Sequence, residues 1–227
     1  MRENLKNKLH ACGWDRILAD FIDSEEFDKL MIGLIESKET LTPAIGQVFR
    51  VFYECPYDKL NTVIVGLGPY PEEGEADGLA FSCGNTRDCQ PDLATIFEEI
   101  QKTVYKPLNE DWYAWEPDLT RWANQGVLLL NLAFTTEIGK SGSHYKLWKP
   151  FLIYLFDKLD KLNTGLVYIF MGDAAESWAK KVTENNHKFY CYHPSSAAHN
   201  GGEWESNDVF NRTNEILEGN NGVKIIW

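Results

Sequence analysis

The sequence predicts an α/β fold: a three-layer sandwich with a central, mainly parallel, twisted four-stranded sheet and helices on both faces. Four short apolar runs each end at a polar or glycine-containing turn, and helical patterns lie between them. The chain has 227 residues, 44% of them hydrophobic, enough to bury one substantial core and short for two.

The first 41 residues read as helical. Ser24 stands as a cap before Phe27, Leu30, Met31, Leu34 and Ile35, whose spacing gives one apolar face, a core-packing pattern. The four runs are NTVIVG (61–66), GVLLLN (126–131), GLVYIFMG (165–172) and HKFYCYH (187–193). Continuous apolar runs of this length read as strands buried on both faces of a parallel sheet. Helices are expected near 91–104, 148–162, 173–183 and 206–218. No repeat, low-complexity stretch or linker divides the chain, so 1–227 reads as a single domain with its core over 42–218.

Net charge is −12 and the isoelectric point is near 4.9. This counts against tight, indiscriminate DNA binding, because phosphate neutralisation supplies much of such affinity, yet it leaves room for a local basic groove. No apolar run approaches the roughly 18 residues of a membrane span, and the N-terminal charges are too closely spaced for a secretory signal. The five cysteines (12, 55, 83, 89 and 191) are odd in number and form no C-x-x-C pair, which predicts reduced thiols in a cytoplasmic compartment. Cys83 and Cys89 have no second ligand pair, so the expectation is no metal and no organic cofactor.

Ligands in such folds bind beyond the carboxyl ends of the strands. The first end continues as GLGPYPEEGEADGLAFSC (66–83), the second is Asn131, the third opens a helix at Gly172-Asp173, and the fourth is His193. Singly, each of these residues is an ordinary structural feature. Together they deliver an aromatic, an amide and an imidazole to one crevice. Phe81 can stack on a planar ring, Asn131 offers one donor and one acceptor, and His193 can donate to an oxygen that gains negative charge. The set suits a pyrimidine-like base.

The order and spacing of these blocks resemble the uracil-DNA glycosylase superfamily, closest to its main uracil-excising branch. The blocks are VIVGLGPYPEEGEADGLAFSC, LTRWANQGVLLLNLAFTTEIGKSGSH, VYIFMGDAAESWA and HPSSAAHNGGEW…DVFNRTNEIL, with a weaker lead-in TPAIGQVFRVFYECPYDKLNTVIVG. The resemblance implies an enzyme that flips a base from DNA and hydrolyses its N-glycosidic bond. It implies that Phe81 stacks on the base, Asn131 reads its polar edge, His193 holds the leaving anion and Tyr70 fills the space beside the pyrimidine 5-position. It also marks departures. The family's Gly-Gln-Asp-Pro-Tyr motif is Gly-Leu-Gly-Pro-Tyr here, so Leu67 and Gly68 stand where glutamine and the water-positioning aspartate are usual, and Pro71 follows the tyrosine. Loss of a positioned acid/base group costs about 10²–10⁴-fold in rate. Asp92 and Asp173 replace phosphate-binding serines, Ala197 takes the place of the intercalating leucine, and Ala198 replaces a further serine. Ser195 and Ser143 remain as DNA contacts by resemblance.

Two main expectations follow. One is a DNA glycosylase of altered specificity for a uracil-like or 5-substituted pyrimidine, in which Gly68 opens room near the sugar. Glu72, Glu73, Glu75 and Asp77 are then candidates for ordering water, weighed against being loop charges. The alternative is a catalytically inactive module that binds a partner, a base or modified DNA, with Trp112, Trp115 and Trp204 as contact anchors. A weaker alternative is a nucleoside or nucleotide N-glycosidase.

Overall fold

Three of the four apolar runs form strands that are buried at every position, because both of their faces are covered. The computed structural model describes residues 2–37, 40–105 and 115–227. Its strands are β1 (Thr62–Gly66), β2 (Val127–Asn131), β3 (Val167–Met171) and β4 (His187–Cys191). They form one sheet in the order β2-β1-β3-β4, every pair parallel. The fourth run differs from its expectation. His187 and Lys188 are half-buried and Tyr190 is exposed, because β4 is an edge strand that helices cover less completely.

Helices surround this sheet. The N-terminal part forms α1 (Arg2–Ala11), α2 (Asp15–Ile22) and α3 (Glu25–Glu36). Ser24 caps α3, its Oγ accepting from the Phe27 N–H at 3.3 Å. Phe27, Leu30 and Leu34 are buried and Met31 is half-buried, but Ile35 is 44% exposed, so the apolar stripe is narrower than its spacing implied. The Trp14 indole donates to the Cys55 carbonyl at 2.6 Å and the Tyr154 hydroxyl to the Ile17 carbonyl at 2.8 Å, joining this part to the rest. The short helices α4 (Arg50–Glu54) and α6 (Thr120–Ala123) pack on β2.

The other expected helices are α5 (Pro91–Ile100), α7 (Tyr145–Leu162) and α9 (Val209–Asn221), whereas the helix expected over 173–183 is only a single turn, α8 (Asp173–Glu176), followed by the separate 3₁₀ turn Ala179–Lys181. Trp148 and Phe151 of α7 join Phe49, Phe52 and Phe134 in an aromatic cluster, with Phe134 and Trp148 stacked at 4.6 Å. A two-residue ribbon, Leu41–Thr42 antiparallel to Thr136–Glu137, ties the end of the helical N-terminal part to the loop after β2. The buried core extends past residue 218: Ile225 is clamped by Asn214 and Trp227 packs on Trp122 and Phe210.

Candidate active site

Gly66 and Asn131 are register partners at the carboxyl ends of neighbouring parallel strands, so the backbone ladder itself sets their separation. A Cβ built on Gly66 would lie 3.0 Å from the Phe81 ring and 3.1 Å from the Asn131 Oδ1. Only a residue without a side chain admits both groups this close. Among the described residues nothing hydrogen-bonds the Asn131 side chain, although Asn131 is 8% exposed, so its donor and acceptor are open to a ligand.

Phe81 is held by a loop with its own buried anchor. Its backbone is left-handed, φ 65°, an uncommon conformation for an aromatic residue that the surrounding loop enforces. Asp77, fully buried, accepts from the Leu79 N–H at 3.0 Å, the Ser82 hydroxyl at 2.6 Å and the Gly84 N–H at 2.9 Å. Arg50 pairs with Asp77 at 2.9 Å and with Asp118 at 3.0 Å. Burial alone would lower the Arg50 pKa, but the two carboxylates outweigh it and raise it. The Tyr70 hydroxyl donates to the Phe81 carbonyl at 3.0 Å, and burial pushes its phenol pKa far up, so it stays neutral.

These bonds correct one expectation. Asp77 is spent on the Phe81 loop and is unavailable to order water. Glu75 accepts from the Thr86 hydroxyl at 2.8 Å, while Glu72 and Glu73 are exposed loop charges.

His193 caps the 3₁₀ helix Pro194–His199, its Nδ1 accepting from the Ser195 N–H at 3.3 Å and lying 2.9 Å from the Ser195 Oγ. An Nδ1 that accepts leaves the proton on Nε2, which makes the neutral ring a donor. The imidazole lies 5.8 Å from the Phe81 ring, centroid to centroid. Burial holds its pKa below the ordinary imidazole value, opposed by Asp92, whose carboxylate is 3.9 Å away. Burial in turn raises the Asp92 pKa, opposed by His193. Both groups are pushed towards their neutral forms.

The positions assigned to DNA contact divide. Asp173 and Ser195 are exposed. Ser143 is exposed too, but its hydroxyl accepts from the Glu137 N–H at 2.8 Å and bonds the Thr136 hydroxyl at 3.0 Å, closing its own loop. Ala197, expected at the wedge, is 6% exposed and packs into the core, so its methyl does not project outward. Among the tryptophans, Trp115 stacks on Phe97 at 4.7 Å, and Trp204 is buried with its indole N–H on the Tyr192 carbonyl. Neither has the profile of a free contact anchor, and Trp112 lies outside the described residues.

The largest departure is at position 68. The space beside Gly68 is bounded by Tyr145: a Cβ there would meet the Tyr145 ring and hydroxyl in ordinary contact at 3.5 Å. Tyr145 carries no sequence signal, since it lies far along the chain at the start of α7. A cavity of about 860 Å³, lined by Lys8, Cys12, Arg16, Tyr53, Tyr57 and Lys59, lies at the opposite, amino-terminal end of the strands. Among the described residues no group of three or more His, Cys, Asp or Glu side chains could hold a metal ion, and no helix is long and apolar enough to cross a membrane.

A parallel four-stranded sheet with an aromatic, an amide and an imidazole at its carboxyl rim defines an α/β protein with one composite site at that rim. The family model of the uracil DNA glycosylase superfamily matches residues 52–218, and the chain belongs to that superfamily. It is 35% identical to uracil-DNA glycosylase 1 of Listeria innocua over 219 residues, covering 94% of this chain and 96% of the relative. It is 34% identical to a uracil-DNA glycosylase of Phocaeicola vulgatus, with the same coverage of both chains. The crystal structure of mimivirus uracil-DNA glycosylase has the same fold, with a TM-score of 0.83 and 23% identity, covering 94% of this chain and 85% of that one.

Proposed function

We propose that this protein is a DNA glycosylase that takes a flipped uracil-like or 5-substituted pyrimidine and hydrolyses its N-glycosidic bond. The observation that carries the reading is the convergence of Phe81, Asn131 and the neutral, Nε2-protonated His193 on the Gly66 turn. Phe81 stacks on the base and the open amide of Asn131 pairs with its polar edge. As the glycosidic bond breaks, negative charge gathers on a carbonyl oxygen of the base, and the Nε2–H of His193 donates to it. A preorganised donor of this kind is worth about 10²–10³-fold in rate. Tyr70, fixed by its bond to the Phe81 carbonyl, forms the rim that selects the 5-substituent.

Specificity altered from the family pattern is part of this proposal. It is supported by Leu67, Gly68 and Tyr145 on the reaction face and by Asp92 and Asp173 near the strand ends, where phosphates would meet carboxylates. Single-stranded and duplex oligonucleotides carrying uracil, 5-hydroxymethyl or 5-glycosylated pyrimidines, scored for abasic sites, test it. Cleavage of at least one, abolished by His193→Ala, is expected. No cleavage of any, with His193→Ala indistinguishable from wild type, overturns the reading.

A second reading is a non-catalytic module that binds a base or altered DNA. Asp92 favours it, because its carboxylate stands beside the imidazole that a glycosylase needs. Binding of the same oligonucleotides without cleavage would select it.

A further inference from the structure

The turn after β1 carries no polar side chain that can face a sugar. Leu67, Gly68 and Pro69 have none, and the Tyr70 hydroxyl is committed to the Phe81 carbonyl. The polar atom that meets this turn comes from Tyr145 at the start of α7. Its ring lies between two glycines. A Cβ on Gly68 would stand 3.5 Å from the ring and from the hydroxyl, and one on Gly142 would stand 2.7 Å from the ring. Gly142 has φ +75°, and the Tyr145 N–H bonds its carbonyl at 3.2 Å, so the loop closes tightly against the phenol.

The hydroxyl at the end of this ring is buried and has no hydrogen-bond partner among the described residues. Buried polar groups are satisfied in folded proteins, and an exception at a site is a place where a ligand or a water supplies the missing bond. The Pro71 carbonyl accepts from the Gly139 N–H at 2.8 Å, which fixes the loop carrying Tyr145 against the Gly68 turn. The hydroxyl therefore lies unpartnered beside Gly68, two residues past the Gly66 that adjoins Phe81 and Asn131.

We infer that Tyr145 holds the attacking water in this enzyme, taking the hydrogen bond its hydroxyl lacks when a nucleotide opens the Gly68 turn. The inference rests on the glycosylase reading. In the step, the bond between C1′ and the base nitrogen breaks with its electron pair leaving on the base, whose oxygen is held by His193. The water oxygen bonds to C1′, and the proton it sheds passes to the base anion. The products are the neutral base and a hydroxyl on the abasic sugar. Burial raises the Tyr145 pKa to about 12, so the phenol positions the water as a neutral group and does not deprotonate it.

A Cβ at position 68 would already touch the phenol in ordinary van der Waals contact, so a carboxylate carried by residue 68 and the Tyr145 hydroxyl compete for one side of the turn. Single-turnover excision on the oligonucleotide that wild type cleaves, with binding of the abasic product followed by tryptophan fluorescence, tests both consequences. Tyr145→Phe keeps the ring in its slot and removes only the hydroxyl. It is expected to lower the excision rate about ten- to a hundredfold with product binding unchanged. A Tyr145→Phe rate equal to wild type, or equal losses of rate and binding, overturns the proposal while leaving the glycosylase reading intact. On uracil DNA, Gly68→Asp/Tyr145→Ala is expected to cleave at least tenfold faster than Gly68→Asp alone. Equal rates show that the tyrosine does not occupy that space and overturn it too. A wild type that cleaves no base overturns the glycosylase reading and the water-holding role together.

Discussion

The carboxylate of Asp92 stands 3.9 Å from Nδ1 of His193, with both side chains about three-quarters shielded from solvent. An acid and an imidazole thus share one wall of the candidate site. Asp92 also lies in the first turn of α5, where the helix dipole favours a negative charge. DNA entering here would bring a phosphate towards that charge.

Asp92→Ser is therefore expected to tighten binding of single-stranded DNA several-fold at low salt, with the gain shrinking as salt is added. Anisotropy titrations at two ionic strengths check this. Unchanged affinity would mean that the phosphates pass elsewhere.

Gly66→Ala places a methyl 3.0 Å from Phe81 and 3.1 Å from Asn131 Oδ1, tighter than either rigid neighbour accommodates in place. Overpacking of this kind costs about 1–3 kcal/mol. The expected outcome is at least a tenfold rise in KM for the base excised, with the melting temperature lowered by only a few degrees. A KM equal to wild type would place the base away from Gly66.

Asp77→Asn removes the buried partner of Arg50 and weakens the bonds to Ser82 and Gly84. Breaking a buried pair by deleting one charge costs about 3–5 kcal/mol. Thermal denaturation is expected to show Tm lower by roughly 10 °C. The same variant releases the left-handed Phe81, so excision falls even at temperatures where the protein is folded.

His144 supplies a pH dependence. Its Nδ1 lies 2.9 Å from the Thr135 hydroxyl, which also accepts from the Trp148 indole at 2.8 Å. Burial lowers its pKa from 6.5, opposed by Glu137. A depressed folded pKa contributes stability that is complete above 6.5 and is lost as pH falls below that value. Tm is expected to drop between pH 7 and 5.5 by more in wild type than in His144→Gln. Parallel drops would assign the loss to other groups.

The four strands were legible because each is a continuous apolar run, and the Ser24 cap because its hydroxyl precedes a helical period. Phe81, Asn131 and His193 were legible as strand-end residues of the right chemistry. Their common site follows from the parallel register, which brings distant strand ends to one rim. Tyr145 was not legible, since its meeting with Gly68 is a contact between remote loops with no spacing to betray it. Asp77 read as a loop charge because nothing in its neighbours signals the distant Arg50. Ala197 read as a small residue standing in the wedge position, and the turn of the 3₁₀ helix buries it.

The pairing of Gly66 with Asn131 across the β1–β2 ladder has a historical consequence. The amide proposed to read the base is mounted on main-chain bonds common to any sequence, whereas the side proposed for the reaction is made of replaceable side chains at 67, 68 and 145. A lineage can exchange that second set without moving the first. Under the proposed reading, recognition and chemistry thus rest on separate parts of this scaffold, and substitutions at 67, 68 and 145 leave in place the ladder that positions Asn131.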